Sequence, residues 1–108
     1  MSFIAMNRFR VRAGHEADFE EMWRSRESRL KEVPGFQEFR LLKGPEHADE
    51  GYRLYSSHVI WESRAAFEAW TKSEQFRDAH KNAGQAATKD ALLGPPAFEG
   101  FETVLHQA

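Results

Sequence analysis

Asn7, Trp70 and His80 are the residues of this 108-residue chain whose types and spacing could do chemistry together. A carboxamide donates hydrogen bonds, an indole offers a large rigid wall, and a neutral imidazole can ligate a metal or act as a base. Around one apolar cavity, the three could bind a flat cofactor and handle oxygen. Taken singly, each also has an ordinary explanation: a satisfied buried amide, a core tryptophan, an isolated histidine. The interest lies in their coincidence.

Asn7 stands out because of its phase. Phe3, Ala5, Asn7, Phe9 and Val11 alternate with Ile4, Met6, Arg8, Arg10 and Arg12, the period-two pattern of a strand with its arginines outward. An inward amide left unpaired costs roughly 1–3 kcal/mol, so Asn7 either bonds a neighbouring backbone group or faces a cavity and a ligand. His80 shares a helical face with Phe76, Ala79 and Ala83. Phe76 stands one turn before it and Gly84 one turn after, which removes the paired ligands of a tetrahedral zinc site, whereas a heme iron needs only one protein ligand. Trp70 closes the stripe begun by Ala66 and Phe67. Arg26 falls inside the apolar stripe between Trp23 and Leu30, with Arg29 at its edge; it could snorkel to solvent or pair with a ligand carboxylate at a pocket mouth. His15, His47, His58 and His106 show no comparable arrangement.

Elements that position these residues follow from periodicity and breakers. Gly14 ends the strand Phe3 to Arg12, and Phe19, Met22, Trp23, Leu30 and Val33 then recur at helical spacing up to the stop at Pro34-Gly35. Phe36 to Lys43 predicts a second strand, Gly44 to Gly51 a hairpin connection and Tyr52 to Trp61 a third strand. Ser63 is an N-cap candidate for a helix reaching Trp70, and Ser73 for a further segment carrying His80 and ending at Gly84. Gln85 to Ala97 reads as a long loop, a candidate lid, and Phe98 to His106 as the last strand. Lys43-Gly44-Pro45 and Gly94-Pro95-Pro96 read as turns. The order β-α-β-β-α-β is the split βαβ arrangement of ferredoxin-like α+β folds, here one domain spanning residues 1–108.

Fifteen Lys and Arg against seventeen Asp and Glu leave a formal charge of −2, mixed in sign without long runs, which argues against nucleic acid or an anionic membrane as partner. Cysteine is absent, removing disulfides, zinc-thiolate sites and thiol nucleophiles. Neither a signal-peptide pattern nor a membrane-length apolar run is present, so a cytoplasmic protein is expected. Nine Phe and three Trp point to an aromatic-rich core, with an aromatic-lined pocket or an oligomer interface as further outlets. No phosphate-binding glycine loop, Ser-His-Asp pattern, paired-carboxylate motif or dinucleotide fingerprint occurs.

The combined pattern resembles the antibiotic biosynthesis monooxygenase (ABM) superfamily and, within it, the IsdG-type heme-degrading monooxygenases. Phe3-Ile4-Ala5-Met6-Asn7-Arg8-Phe9, Trp61-Glu62-Ser63 leading to Ala66-Phe67-Glu68-Ala69-Trp70, and Lys72-Ser73-Glu74-Gln75-Phe76 leading to Ala79-His80-Lys81 carry the resemblance over nearly the whole chain. It implies a dimeric α+β barrel with one pocket per subunit. His80 would be the proximal iron ligand, Asn7 a donor to the ligand on the iron, and Trp70 a wall that presses on the porphyrin and ruffles it. Heme would be substrate and cofactor at once, molecular oxygen the co-substrate, and an external, unidentified reductant the electron source. Arg26 or Arg29 beside a propionate extends the reading by helical phase alone. Related readings on the same fold are a cofactor-free monooxygenase of quinol or polycyclic aromatic substrates and a non-catalytic barrel binding heme or another hydrophobic ligand.

Overall fold

Alternation over the first residues builds the strand expected of it, and that strand becomes one of the two central strands of the sheet. The computed structural model describes residues 2–25, 30–74 and 90–108. In chain order these form β1 (Phe3–Arg12), α1 (Glu16–Ser25), a 3₁₀ turn (Leu30–Glu32), β2 (Phe36–His47), a second 3₁₀ turn (Ala48–Glu50), β3 (Tyr52–Trp61), α2 (Arg64–Thr71) and β4 (Ala97–Glu102). The strands make one antiparallel sheet in the order β2-β3-β1-β4. This is the expected ferredoxin-like α+β topology, with β1 and β3 central. Among the described residues no helix is long and apolar enough to cross a membrane.

Local chemistry explains the helix starts. Glu16 and Asp18 occupy the first turn of α1 and Arg24 its last, each sign complementing the helix dipole. Ser63 takes extended backbone and its side chain accepts the Ala66 N–H, the N-cap that its type predicts.

Four boundaries differ from expectation. Strand β2 continues to His47, so Gly44-Pro45 lies within it rather than in a turn. The register shifts between Lys43 and Glu46, and β2 is an edge strand, where a proline without an N–H is tolerated; the Arg53 guanidinium takes the Gly44 carbonyl at 3.0 Å. The reversal is made later, by the second 3₁₀ turn and Gly51 at φ +77°. The first helix is expected to run to Val33, but Leu30–Glu32 within that span form a 3₁₀ turn rather than α-helix. Of the expected lid, residues 90–93 are fastened to β1: Leu92 bridges Val11, Leu93 N–H donates to the Arg10 carbonyl at 3.0 Å, and Arg12 Nε donates to the Asp90 carbonyl at 3.0 Å. Last, β4 stops at Glu102, four residues before the expected His106.

Both helices cover the same sheet face, over two hydrophobic clusters. One joins Phe9, Val11, Phe19 and Tyr55, with Met22 and Trp23 of α1 packed against it. The other joins Phe3, Ala5, Val33, Val59 and Trp61, with Phe67 and Trp70 of α2 against it. Trp61 is fully buried, the core role its place in β3 predicts. The opposite face carries Ile4, flanked across the ladders by Ile60 and Phe101, and Leu42 and Phe101 remain exposed there.

Candidate functional site

Directly opposed residues of an antiparallel ladder share a face, so the register defines what surrounds Asn7. It lies opposite Ser57 of β3 and Phe98 of β4, and Ser57 lies opposite Leu41 of β2. The row Leu41, Ser57, Asn7, Phe98 is where the two hydrophobic clusters part. Ala5 and Phe9, the same-face neighbours of Asn7, are buried, while Asn7 is half-buried. Its backbone N–H donates to Ser57 Oγ at 3.2 Å. Among the described residues its carboxamide has no hydrogen-bond partner. The inward amide inferred from phase is thus a polar group facing a break in an apolar surface.

Trp70 reaches this row through aromatic contacts. Its ring packs on Trp61 with centroids 5.3 Å apart and on Phe67 at 6.2 Å. Phe67 stacks on Phe98 at 5.5 Å, nearly parallel, and Phe98 is the β4 partner of Asn7. The other side is walled by Trp23, edge-on to Phe9 at 5.9 Å and stacked on Phe39 at 5.6 Å. Flat aromatic walls flanking a lone carboxamide suit a planar, largely apolar ligand with one polar focus. His80, Arg26 and Arg29 lie outside the described residues. Ser73, expected to cap the segment that carries His80, donates its hydroxyl to the Trp70 carbonyl at 2.6 Å and so fastens the end of α2.

Ser57 and Phe98 escaped the sequence reading. Ser57 could have been found by the phase argument that singled out Asn7, because Tyr55, Ser57, Val59 and Trp61 alternate inward along β3. Phe98 could not, because its neighbour is set by the pairing of chain ends.

Beside this row, a cleft of about 360 Å³ runs between α1 and β2, lined by Glu20, Trp23, Arg24, Phe39, Leu41, Lys43 and Tyr55. The Tyr55 hydroxyl donates to Glu20 Oε2 at 2.5 Å, Lys43 Nζ stands 3.3 Å from the same oxygen, and Arg24 Nη2 donates to Oε1 at 3.1 Å. The Tyr55 hydrogen bond, with Lys43 beside it, holds the Glu20 carboxyl below its ordinary 4.5. Burial, and then the Glu20 carboxylate, push the Tyr55 phenol well above its ordinary 10.0. A depressed carboxyl stabilises the fold above its unfolded value and loses that contribution as the pH falls through its folded value; a raised phenol stabilises below its unfolded value and loses that as the pH rises. Tyr55→Phe is therefore expected to lower the thermal midpoint most between pH 4.5 and 10.0. Melting curves across pH for both proteins should converge at the acid and alkaline ends, and a gap independent of pH would refute the coupling.

A four-stranded antiparallel sheet with two helices on one face and an aromatic-walled polar break beneath them defines a ferredoxin-like α+β domain. The chain belongs to the antibiotic biosynthesis monooxygenase family, whose model matches residues 2–82, including Asn7 and Trp70. It is 26% identical over 90 residues to a heme oxygenase (staphylobilin-producing) of Staphylococcus haemolyticus, covering 82% of this chain and 83% of the relative. Among solved structures it is similar to the heme-degrader MhuD of Mycobacterium tuberculosis, with two hemes bound in its active site, at 28% identity and a TM-score of 0.72, covering 98% of this chain and 99% of that one. Its fold is also that of SnoaB, a cofactor-independent oxygenase of Streptomyces nogalater, at 19% identity and a TM-score of 0.66, covering 97% and 95% of the two chains.

Proposed function

We propose that this protein is a heme-degrading monooxygenase. The observation that carries the proposal is the Asn7 carboxamide, without a hydrogen-bond partner among the described residues, at the break between two aromatic clusters and flanked by the Trp70-Phe67-Phe98 wall. These residues fit heme, a wide apolar plane that needs aromatic walls and one polar group near its centre. When bound, heme supplies an iron that activates oxygen and is itself the substrate, its ring opened with release of iron.

The chain's own residues have separable tasks. Asn7 would present an N–H donor where negative charge develops on oxygen, beside the flanking rings of Phe67 and Phe98. Trp70 presses a rigid face, itself braced by Trp61, against the plane, and distortion of the macrocycle is one of the levers by which protein tunes heme. His80 would supply the ligand to the iron, and Arg26 would pair with a propionate. Electrons come from an external donor. Two subunits pair their helix-free faces, where Ile4, Ile60 and Phe101 offer apolar area and His58 Nδ1 is buried without a partner among the described residues.

Adding hemin to the purified protein tests the reading. A saturable Soret-absorbing complex is expected, decaying when a reductant is supplied under air, and His80→Ala should lose the wild-type ligation spectrum. No complex would overturn heme as ligand and favour a cofactor-independent oxygenase. A complex whose ring survives turnover conditions would identify a carrier, and an unchanged His80→Ala spectrum would remove His80 as ligand.

A further inference from the structure

Ser57 is a polar residue at an apolar position. Along β3 its same-face neighbours are Tyr55 and Val59, both packed into the two clusters, and Ser57 itself is only 5% exposed. A serine hydroxyl has one proton and two lone pairs. One lone pair of Ser57 Oγ takes the Asn7 N–H at 3.2 Å, which orients the oxygen toward β1 and leaves the proton to be given elsewhere. Among the described residues that proton has no acceptor. The adjacent Ser56, equally buried on the opposite face, shows the alternative: its hydroxyl donates to the Ser57 carbonyl at 2.9 Å and is satisfied within the strand. Among the described residues two neighbouring serines thus differ, one closed locally and one left with a donor opposite Asn7, whose carboxamide has no partner there either. Alanine or valine at this position would carry no surplus hydroxyl proton, at the cost of the acceptor for the Asn7 N–H.

We propose that Ser57 and Asn7 form a two-donor clamp for one electron-rich atom of the ligand, Asn7 through its carboxamide N–H and Ser57 through its hydroxyl. The clamp rests on the heme reading above. Ser57 acts on the ligand and at the same time anchors the Asn7 backbone, so one residue sets both donors at the break between the clusters. Two donors converging from adjacent strands hold an anionic oxygen more tightly than one, and neither must reorganise when charge develops.

Fluoride added to the ferric hemin complex reads the clamp without turnover, because the anion accepts hydrogen bonds from pocket donors. Ser57→Ala is expected to weaken fluoride binding about tenfold, the value of one hydrogen bond to a charged acceptor, while leaving hemin affinity unchanged. Ser57→Thr, which keeps the hydroxyl, should stay within about twofold of wild type, and Ser57→Cys, a weak donor of similar size, should resemble alanine. Ser56→Ala should leave fluoride affinity unchanged. If Ser57→Ala and Ser57→Cys bind fluoride as wild type does, Ser57 is an anchor for β1 only and the clamp is overturned while the heme reading stands. If the wild-type protein takes up no hemin, the heme reading falls and takes the clamp with it.

Discussion

Asn7→Ala is expected to bind hemin as wild type does and to open the ring about a hundredfold more slowly, the loss typical of removing one preorganised donor to developing negative charge. The separation of binding from turnover follows from what Asn7 contributes to the fold. Its backbone N–H, not its side chain, makes the bond to Ser57 Oγ, so alanine keeps the cross-strand anchor. On the heme reading the apolar surface would come from Trp70, Phe67, Phe98 and Trp23, whose rings pack on other aromatic rings. Hemin titration gives affinity, and the rate of Soret loss under excess reductant in air gives turnover. A variant that turns over at the wild-type rate would remove Asn7 from the chemistry, and one that loses hemin affinity instead would recast it as a binding residue.

Gly35→Ala is expected to be the most damaging alanine substitution among the described glycines. Gly35 has φ +86°, a left-handed conformation that costs an L-residue about 1–2 kcal/mol. A Cβ there would lie 2.4 Å from Ala66 Cβ of α2, so α2 must move away, an overpacking cost of about 1–3 kcal/mol. Its carbonyl also accepts the Glu62 N–H at 2.7 Å, just before the Ser63 cap. The sum, about 2–5 kcal/mol, is a large share of a stability that for small domains is about 5–15 kcal/mol. Gly14 and Gly51 provide the control: both have positive φ, but a Cβ on either meets nothing within 4 Å. Their alanine variants should show the backbone cost alone, about 1–2 kcal/mol. Urea midpoints rank the three, and equal losses would show that contact with α2 contributes nothing. Displacing α2 at Ala66 also displaces Trp70, four residues along the same helix, so the surviving Gly35→Ala protein should bind hemin more weakly.

How much of this was legible beforehand depended on the reach of each interaction. The β1 and β3 boundaries, the Ser63 cap and the inward phase of Asn7 matched expectation because alternation, capping and breakers act between neighbours in sequence. Gly44-Pro45 misled because a proline-glycine pair signals a turn locally, whereas an edge strand tolerates it once Arg53 holds the Gly44 carbonyl. Residues 90–93 resembled a free loop because their anchors, Arg10, Val11 and Arg12, are some eighty positions away. Trp70 was recognisable as a helix-face aromatic, yet its link to Asn7 passes through Phe67 and Phe98, and Phe98 meets Asn7 only through β1–β4 pairing.

By itself, the sequence determined the order of elements, the inward placement of Asn7 and the family pattern, because each is written in short-range periodicity and residue type. Only the tertiary structure decided that Ser57 faces Asn7 from fifty residues away, that the clusters part at that row and that an aromatic chain joins it to Trp70. Register and burial are properties of paired strands, and no single strand carries the identity of its partner.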